Sequence, residues 1–195
     1  MRLFNMTIAF WWFPRKIGLI ILKKGMNKLP IVSERLLFRP YNDNDFDFIM
    51  SLLSDPEVVR FIGNGKTRDK AEGIDFLNWI YRTYELGEDL GLLALVNKEN
   101  DTLIGHAGLV PQTIEGNQEI EIGYWISHKH WGKGYATESA KALLEYGNKY
   151  LDKQRFISLI QPDNLASQKV AKKIGMGLDR EIVLGGKDVH VYSTV

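Results

Sequence analysis

The chain has 195 residues, 45% apolar and 25% charged, the make-up of one globular domain long enough to bury a core and not of a disordered or fibrous chain. With 25 basic and 24 acidic residues the formal charge is +1, which supplies no global pull toward nucleic acid, so any anion site must be local. The absence of cysteine excludes disulfides, thiolate metal sites and a cysteine nucleophile, and fits a cytoplasmic setting.

Residues 1–28 differ from the rest. An apolar, aromatic run from Leu3 to Phe13 is broken by Pro14-Arg15-Lys16, and a second run, Ile17 to Leu22, ends at Lys23-Lys24-Gly25. Neither run reaches the roughly 20 continuous residues that span a bilayer, and no small-residue cleavage site follows to suggest a signal peptide. A peripheral membrane anchor built from the aromatics and the basic cluster is the main functional alternative. The leading expectation is an extension outside the fold, translated from an upstream start, with Met26 as the effective beginning and residues 29–195 as one domain.

Arg35 to Pro40 reads as a strand, after which Asn42 or Asp43 can cap a helix running to Leu53. Asp55-Pro56-Glu57 restarts a short helix with proline at its first position. Thr67 or Asp69 opens a longer one, with Ile74, Leu77, Ile80, Tyr81 and Tyr84 on one face and Gly87 as the stop. A meander of three strands follows: Leu90 to Asn97, Thr102 to Val110 and Glu119 to Ile126, separated by turn-rich clusters.

The third strand runs into Ser127-His128-Lys129-His130-Trp131-Gly132-Lys133-Gly134 and then a helix opening at Tyr135. The two glycines permit a sharp bend and close approach of a ligand, and the first amides of a helix have no intrahelical partner. Together with the helix dipole this makes the helix start near Tyr135 a candidate phosphate site, with a plain turn and helix cap as the alternative reading of the glycines. The strand Phe156 to Ile160 then lies parallel to its predecessor across the helix. A break at Pro162-Asp163-Asn164, a helix from about Ala166 to Ile174, and a hairpin around Gly185-Gly186-Lys187 complete the chain. The sum is an α/β (α+β) domain with a mixed, mostly antiparallel sheet of about seven strands flanked by about four helices.

Spacing separates the phosphate-loop classes. Gly132-Lys133 is followed by Gly134 and not by Ser or Thr, which fails the nucleotide-triphosphate pattern, and Thr137 stands where a dinucleotide fingerprint needs glycine. His128 and His130 have H-x-H spacing but no obvious third ligand, so no metal site is expected. Trp131-x-x-Gly134-x-Ala136, however, resembles the acetyl-CoA loop of the GCN5-related N-acetyltransferase (GNAT) superfamily. Glu121 to Ile126, Ala136-Thr137-Glu138, Asn164 to Ser167 with Gly175-Met176, Ser33 to Pro40 and Ser54 to Val58 resemble its ribosomal-protein N-terminal acetyltransferase (RimJ/RimL-like) branch. The resemblance spans roughly Leu29 to Val195.

It implies a sheet splayed at the parallel pair, with backbone groups of Trp125 and Ile126 free for the pantetheine of acetyl-CoA and an amide near Ile126 for the oxyanion. It also implies the diphosphate on Lys133 to Thr137 and the Asn164 side chain on the pantetheine arm. Ser167 is the implied proton donor to the departing thiolate, because Ala171 stands where many members place a tyrosine. The loop begins with Trp131 where the superfamily usually has Gln or Arg.

The acceptor must be a neutral amine. A lysine side chain near pKa 10.4 is about one part per thousand neutral at pH 7.4, whereas an α-amine near 7.7 to 8.0 carries little handicap. A base is still required, and Glu121 and Glu119, two apart on one strand face, are the candidates, with Glu121 at the family position. The expected activity is direct acetyl transfer from acetyl-CoA to a primary amine, either a protein N-terminus or a small molecule, by a monomer or homodimer without metal or nucleic acid. The alternative is a non-catalytic acetyl-CoA-binding sensor or docking module.

Overall fold

The computed structural model describes residues 31–87, 89–151 and 153–194. Residues 1–28, with the expectations attached to them, lie outside that set. Strand β1 (Leu36–Arg39) leads through a short 3-10 turn, capped by Asn42, into α1 (Phe46–Leu53), α2 (Pro56–Val59) and α3 (Lys70–Tyr84). The proline at the start of α2 and the Asp69–Glu72 capping box of α3 are the start signals visible in the sequence.

Strands β2 (Gly91–Asn97), β3 (Leu103–Ile114) and β4 (Asn117–Ile126) form the meander, with β3 and β4 longer than expected because their pairing runs on to Ile114 and Asn117. Helix α4 (Tyr135–Tyr150), β5 (Ile157–Ile160), α5 (Leu165–Lys173) and the hairpin of β6 (Gly177–Leu184) and β7 (Lys187–Ser193) follow. The seven strands lie in the order β1-β2-β3-β4-β5-β7-β6, and only β4–β5 is parallel. Among the described residues there are five α-helices, the short α2 included, each where the sequence carries a start signal for one.

Strand alternation gives the sheet two different faces. Ile122 and Ile126 of β4, with Ala107 and Leu109 of β3, pack on Tyr135, Ala140 and Leu143 of α4. Val110, Leu92 and Ala94 face the other way, onto Ile49, Phe76, Leu77 and Ile80 of α1 and α3. Helix α4 lies tight on the sheet at Gly147, where an added β-carbon would stand 2.5 Å from the Phe156 ring. Among the described residues no helix is long and apolar enough to cross a membrane.

Candidate active site

The β4–β5 pairing is a single register pair, Glu121 with Ile157, beyond which the two strands separate. Side chains fill the start of the gap. Ser158 Oγ donates to the Ile122 carbonyl at 3.0 Å, and the Leu159 amide donates to the Glu121 carboxylate.

On the opposite edge of β4, the Ser127 amide donates to the Ile104 carbonyl at 2.9 Å, and this fixes the alternation of the β3–β4 ladder. Trp125 therefore exchanges its backbone bonds with His106, while Tyr124 and Ile126 turn theirs into the gap. The expectation placed free backbone groups on Trp125 and Ile126; the register gives them to Tyr124 and Ile126. The Ile126 carbonyl already accepts from Trp131 Nε1 at 2.7 Å. That bond gives Trp131 a local role where the superfamily has Gln or Arg: it ties the loop back to the strand end.

The loop itself is built from backbone. Gly132 and Gly134 have φ of 74° and 83°, left-handed values that a side chain strains. Gly134 is the N-cap of α4 and offers no side-chain cap, unlike the capping residues of α2, α3 and α5. The amides of Tyr135, Ala136 and Thr137 thus lack an intrahelical partner at the positive end of a 16-residue helix. The side chains here are committed or turned outward. Tyr135 is buried, its hydroxyl accepting from Asn97 Nδ2 at 3.0 Å, and Lys133 is exposed. Glu138, one turn in, accepts from Ser33 Oγ, the Arg35 amide and Arg35 Nε, each at 2.7 Å. The Arg35 guanidinium also covers the Tyr135 ring at 4.4 Å.

Under the gap, Asn164 Oδ1 accepts from the Ser167 amide at 3.1 Å, so Asn164 is the N-cap of α5. The Tyr124 hydroxyl donates to the Ser167 carbonyl at 3.3 Å. Burial pushes the Tyr124 hydroxyl up to about 12. Tyr124 was not singled out in the sequence, and its place beside Ser167 comes from the back face of β4 meeting α5. Ala171 is buried.

The front face of β4 carries Glu121, Gly123 and Trp125 into a cleft walled by Phe61–Gly63, Trp79, Leu159 of β5 and Gln161 just beyond it, and the hairpin residues Leu184, Lys187 and Val189. The Trp125 ring stacks on Phe76 at 5.2 Å between centroids, and Phe76 stacks on Trp79 at 5.6 Å. Gln161 Nε2 donates to the Phe61 carbonyl at 3.0 Å and closes the cleft on one side.

Burial pushes the Glu121 carboxyl up to about 7, against the restraining hydrogen bonds from Gln112 Nε2 (2.6 Å) and the Leu159 amide. A carboxylate that titrates near neutrality in a cleft is poised to accept a proton. Glu119, the other candidate, instead holds Arg155 at 3.2 Å, and Arg155 continues to Asp179 at 2.7 Å. His106 packs against Trp125, at 4.6 Å between ring centroids, but burial drives it down to about 3 and its Nδ1 is hydrogen-bonded to the Tyr41 hydroxyl. His128 faces Asp55 at 3.7 Å and His130 packs edge-on against Tyr135, so the H-x-H pair is divided between two neighbours.

The family model for an acetyltransferase (GNAT) domain matches residues 35–177. The N-acetyltransferase YnaD of Bacillus subtilis is 34% identical over 147 residues, covering 75% of this chain and 81% of its own. The structure of a GNAT-family acetyltransferase from Bacillus anthracis superposes with a TM-score of 0.71 at 27% identity, over 85% of this chain and 97% of that one. RimL, a ribosomal L7/L12 α-N-protein acetyltransferase solved with coenzyme A, shares the fold with a TM-score of 0.69 at 18% identity, over 84% of this chain and 96% of its own.

Proposed function

Because this chain belongs to the GNAT acetyltransferase family and is an acetyl-CoA-dependent acyltransferase, we propose that it transfers the acetyl group directly to a primary amine held beside Glu121. The single observation that carries this reading is the placement of Glu121. It stands on the cleft face of β4, at the one register pair before the strands part, with a carboxyl that titrates near neutrality.

Acetyl-CoA fits the residues on the other side. Its diphosphate suits the uncapped amides from Lys133 to Thr137, and its pantetheine suits the backbone groups that Tyr124 and Ile126 turn into the gap, with Asn164 at the start of α5. The amine nitrogen attacks the thioester carbon, a C–N bond forms and the C–S bond breaks. Glu121 takes the amine proton, the Ile126 amide meets the developing oxyanion, and Ser167 returns a proton to the thiolate. Trp125 contributes its ring to the acceptor wall instead of its backbone to the pantetheine.

The acceptor is either a protein N-terminus, as the RimJ/RimL-like motifs suggest, or a small amine. Incubating the protein with acetyl-CoA and a panel of peptides and amines while following thiol release tests the reading. Turnover on at least one acceptor is the expected result. Tight acetyl-CoA binding without turnover on any acceptor would instead establish a cofactor-binding module.

A further inference from the structure

Resting on the transferase reading, we infer that the acceptor is a small primary amine that carries its own anionic group, a carboxylate or a phosphate, on an apolar body. The cleft contains one acidic side chain, Glu121, and at neutral pH that group is partly protonated. The other titratable group lining it is Lys187, at the start of β7, and among the described residues Lys187 makes no ion pair. Its ammonium reaches across the mouth to the α2–α3 loop, where a β-carbon added at Gly65 would lie 3.8 Å from it.

That loop lines the cleft with Phe61, Ile62 and Gly63 and surrounds them with cations. Between residues 60 and 68 it carries Arg60, Lys66 and Arg68 and no Asp or Glu. Arg60 sits over the ring of Phe61, itself part of the cleft wall, at 5.0 Å. Arg68 lies against Phe76 at 5.1 Å, and its Nη1 is buried without a hydrogen-bond partner.

The polar side chains that might otherwise serve a neutral acceptor are occupied: Gln112 is bonded to Glu121, and Gln161 to the Phe61 carbonyl. What remains for the body of the substrate is the flat surface of Trp79 and Trp125 with Phe61, Leu184 and Val189. Over the floor between Glu121 and Trp125, Gly123 leaves space that a β-carbon would begin to fill. The amine is directed to Glu121 because only there can its proton be taken, and the anion to the cationic mouth. A polyamine would bring two or more positive charges to a cleft that holds one partly neutral carboxyl and a free lysine.

The test is thiol release by the full chain with acetyl-CoA and five acceptors: phenylalanine, phenethylamine, phosphoethanolamine, spermidine and the amidated dipeptide Phe-Ala. The expected result is a kcat/KM at least tenfold higher for phenylalanine or phosphoethanolamine than for the other three, the preferred one identifying carboxylate or phosphate. In Lys187→Glu the ratio of anionic to non-anionic acceptor should fall at least fivefold, and in Lys187→Arg it should be kept. Equal or better use of phenethylamine, spermidine or the amidated dipeptide overturns the inference, as does an unchanged ratio in Lys187→Glu. Acetyl-CoA binding with no thiol released from any acceptor defeats the transferase reading itself, and this one with it.

Discussion

The loop at Gly132–Thr137 and the cleft around Glu121 are both served by β4, yet they are made of different material. The loop presents main chain: two glycines at positive φ, an N-cap without a side-chain bond, and neighbouring side chains already engaged elsewhere. The cleft presents side chains drawn from the α2–α3 loop, α3, the sheet and the last hairpin, and burial raises the one carboxyl among them above its ordinary range. On the proposed reading the amides recognise the diphosphate of acetyl-CoA, a group that does not vary with the acceptor. A site made of side chains gathered from distant segments is free to change with the acceptor, and β4 lets the two meet because it is paired to β5 at one point only.

If this division holds, substitutions should act oppositely in the two regions. The largest effect is expected at Glu121. Glu121→Gln keeps the shape and removes the base, and should lower kcat/KM by about 10² to 10³. In the unaltered protein kcat/KM should rise with pH through about 7, as the basic form of Glu121 accumulates, and that rise should vanish in the variant. Gln112→Leu removes a donor that favours the ionised carboxylate, so the rise should move to higher pH. A pH profile unchanged by either substitution would take the base out of the cleft.

The next effect belongs to the loop. Gly134→Val places a β-branched side chain at a φ of 83°, at a backbone cost of about 1 to 3 kcal/mol, and sets its β-carbon 3.5 Å from Arg35 Nη2. Calorimetry should show acetyl-CoA affinity reduced roughly ten- to a hundredfold, on the scale of about 1.4 kcal/mol per decade. Lys133→Ala, which changes only an exposed side chain, should alter it by less than about threefold. A larger loss at Lys133 than at Gly134 would make the site one of side-chain charge and break the contrast.

The same difference in material decides what could be read in the sequence. A backbone site is local: two glycines, a helix start and a preceding strand lie within one short stretch, so its place was legible. So were the helix caps at Asp55, Asp69 and Asn164, whose partners stand two or three residues away. The role of Glu119 was not, because Arg155 and Asp179 that claim it come from distant positions. Nor was the transfer of free backbone groups from Trp125 to Tyr124, since a one-residue change of register exchanges the two edges of a strand and residue pattern alone does not fix it. Lys187 and Gln161 enter the cleft only through tertiary packing.

Stability against pH provides the finest probe, because the acidic groups of the two regions should slope in opposite directions. Burial raises Glu121 from an ordinary value near 4.5 to about 7, so between those values the folded chain holds a proton that the unfolded chain has released. Its contribution is therefore most favourable below 4.5 and declines as pH rises to about 7. Removing the charge in Glu121→Gln should relieve this, by about 1 to 2 kcal/mol once partial access to solvent is allowed for, a rise of a few degrees in Tm at pH 8 that shrinks toward pH 5. At the loop, burial acts on Glu138 too, but Ser33 and the amide and guanidinium of Arg35 outweigh it and hold the carboxyl below its ordinary range. That stabilisation is present at neutral pH and is lost as pH falls through the depressed value, so Glu138→Gln should lower Tm at pH 8 and matter least in acid. Measuring Tm of both variants from pH 4 to 8 would settle the sign in each region. A flat Glu121 profile would mean that its carboxylate is as solvated as in the unfolded chain, and a slope parallel to that of Glu138 would mean that partners hold it ionised; either would remove the reason to assign it the proton.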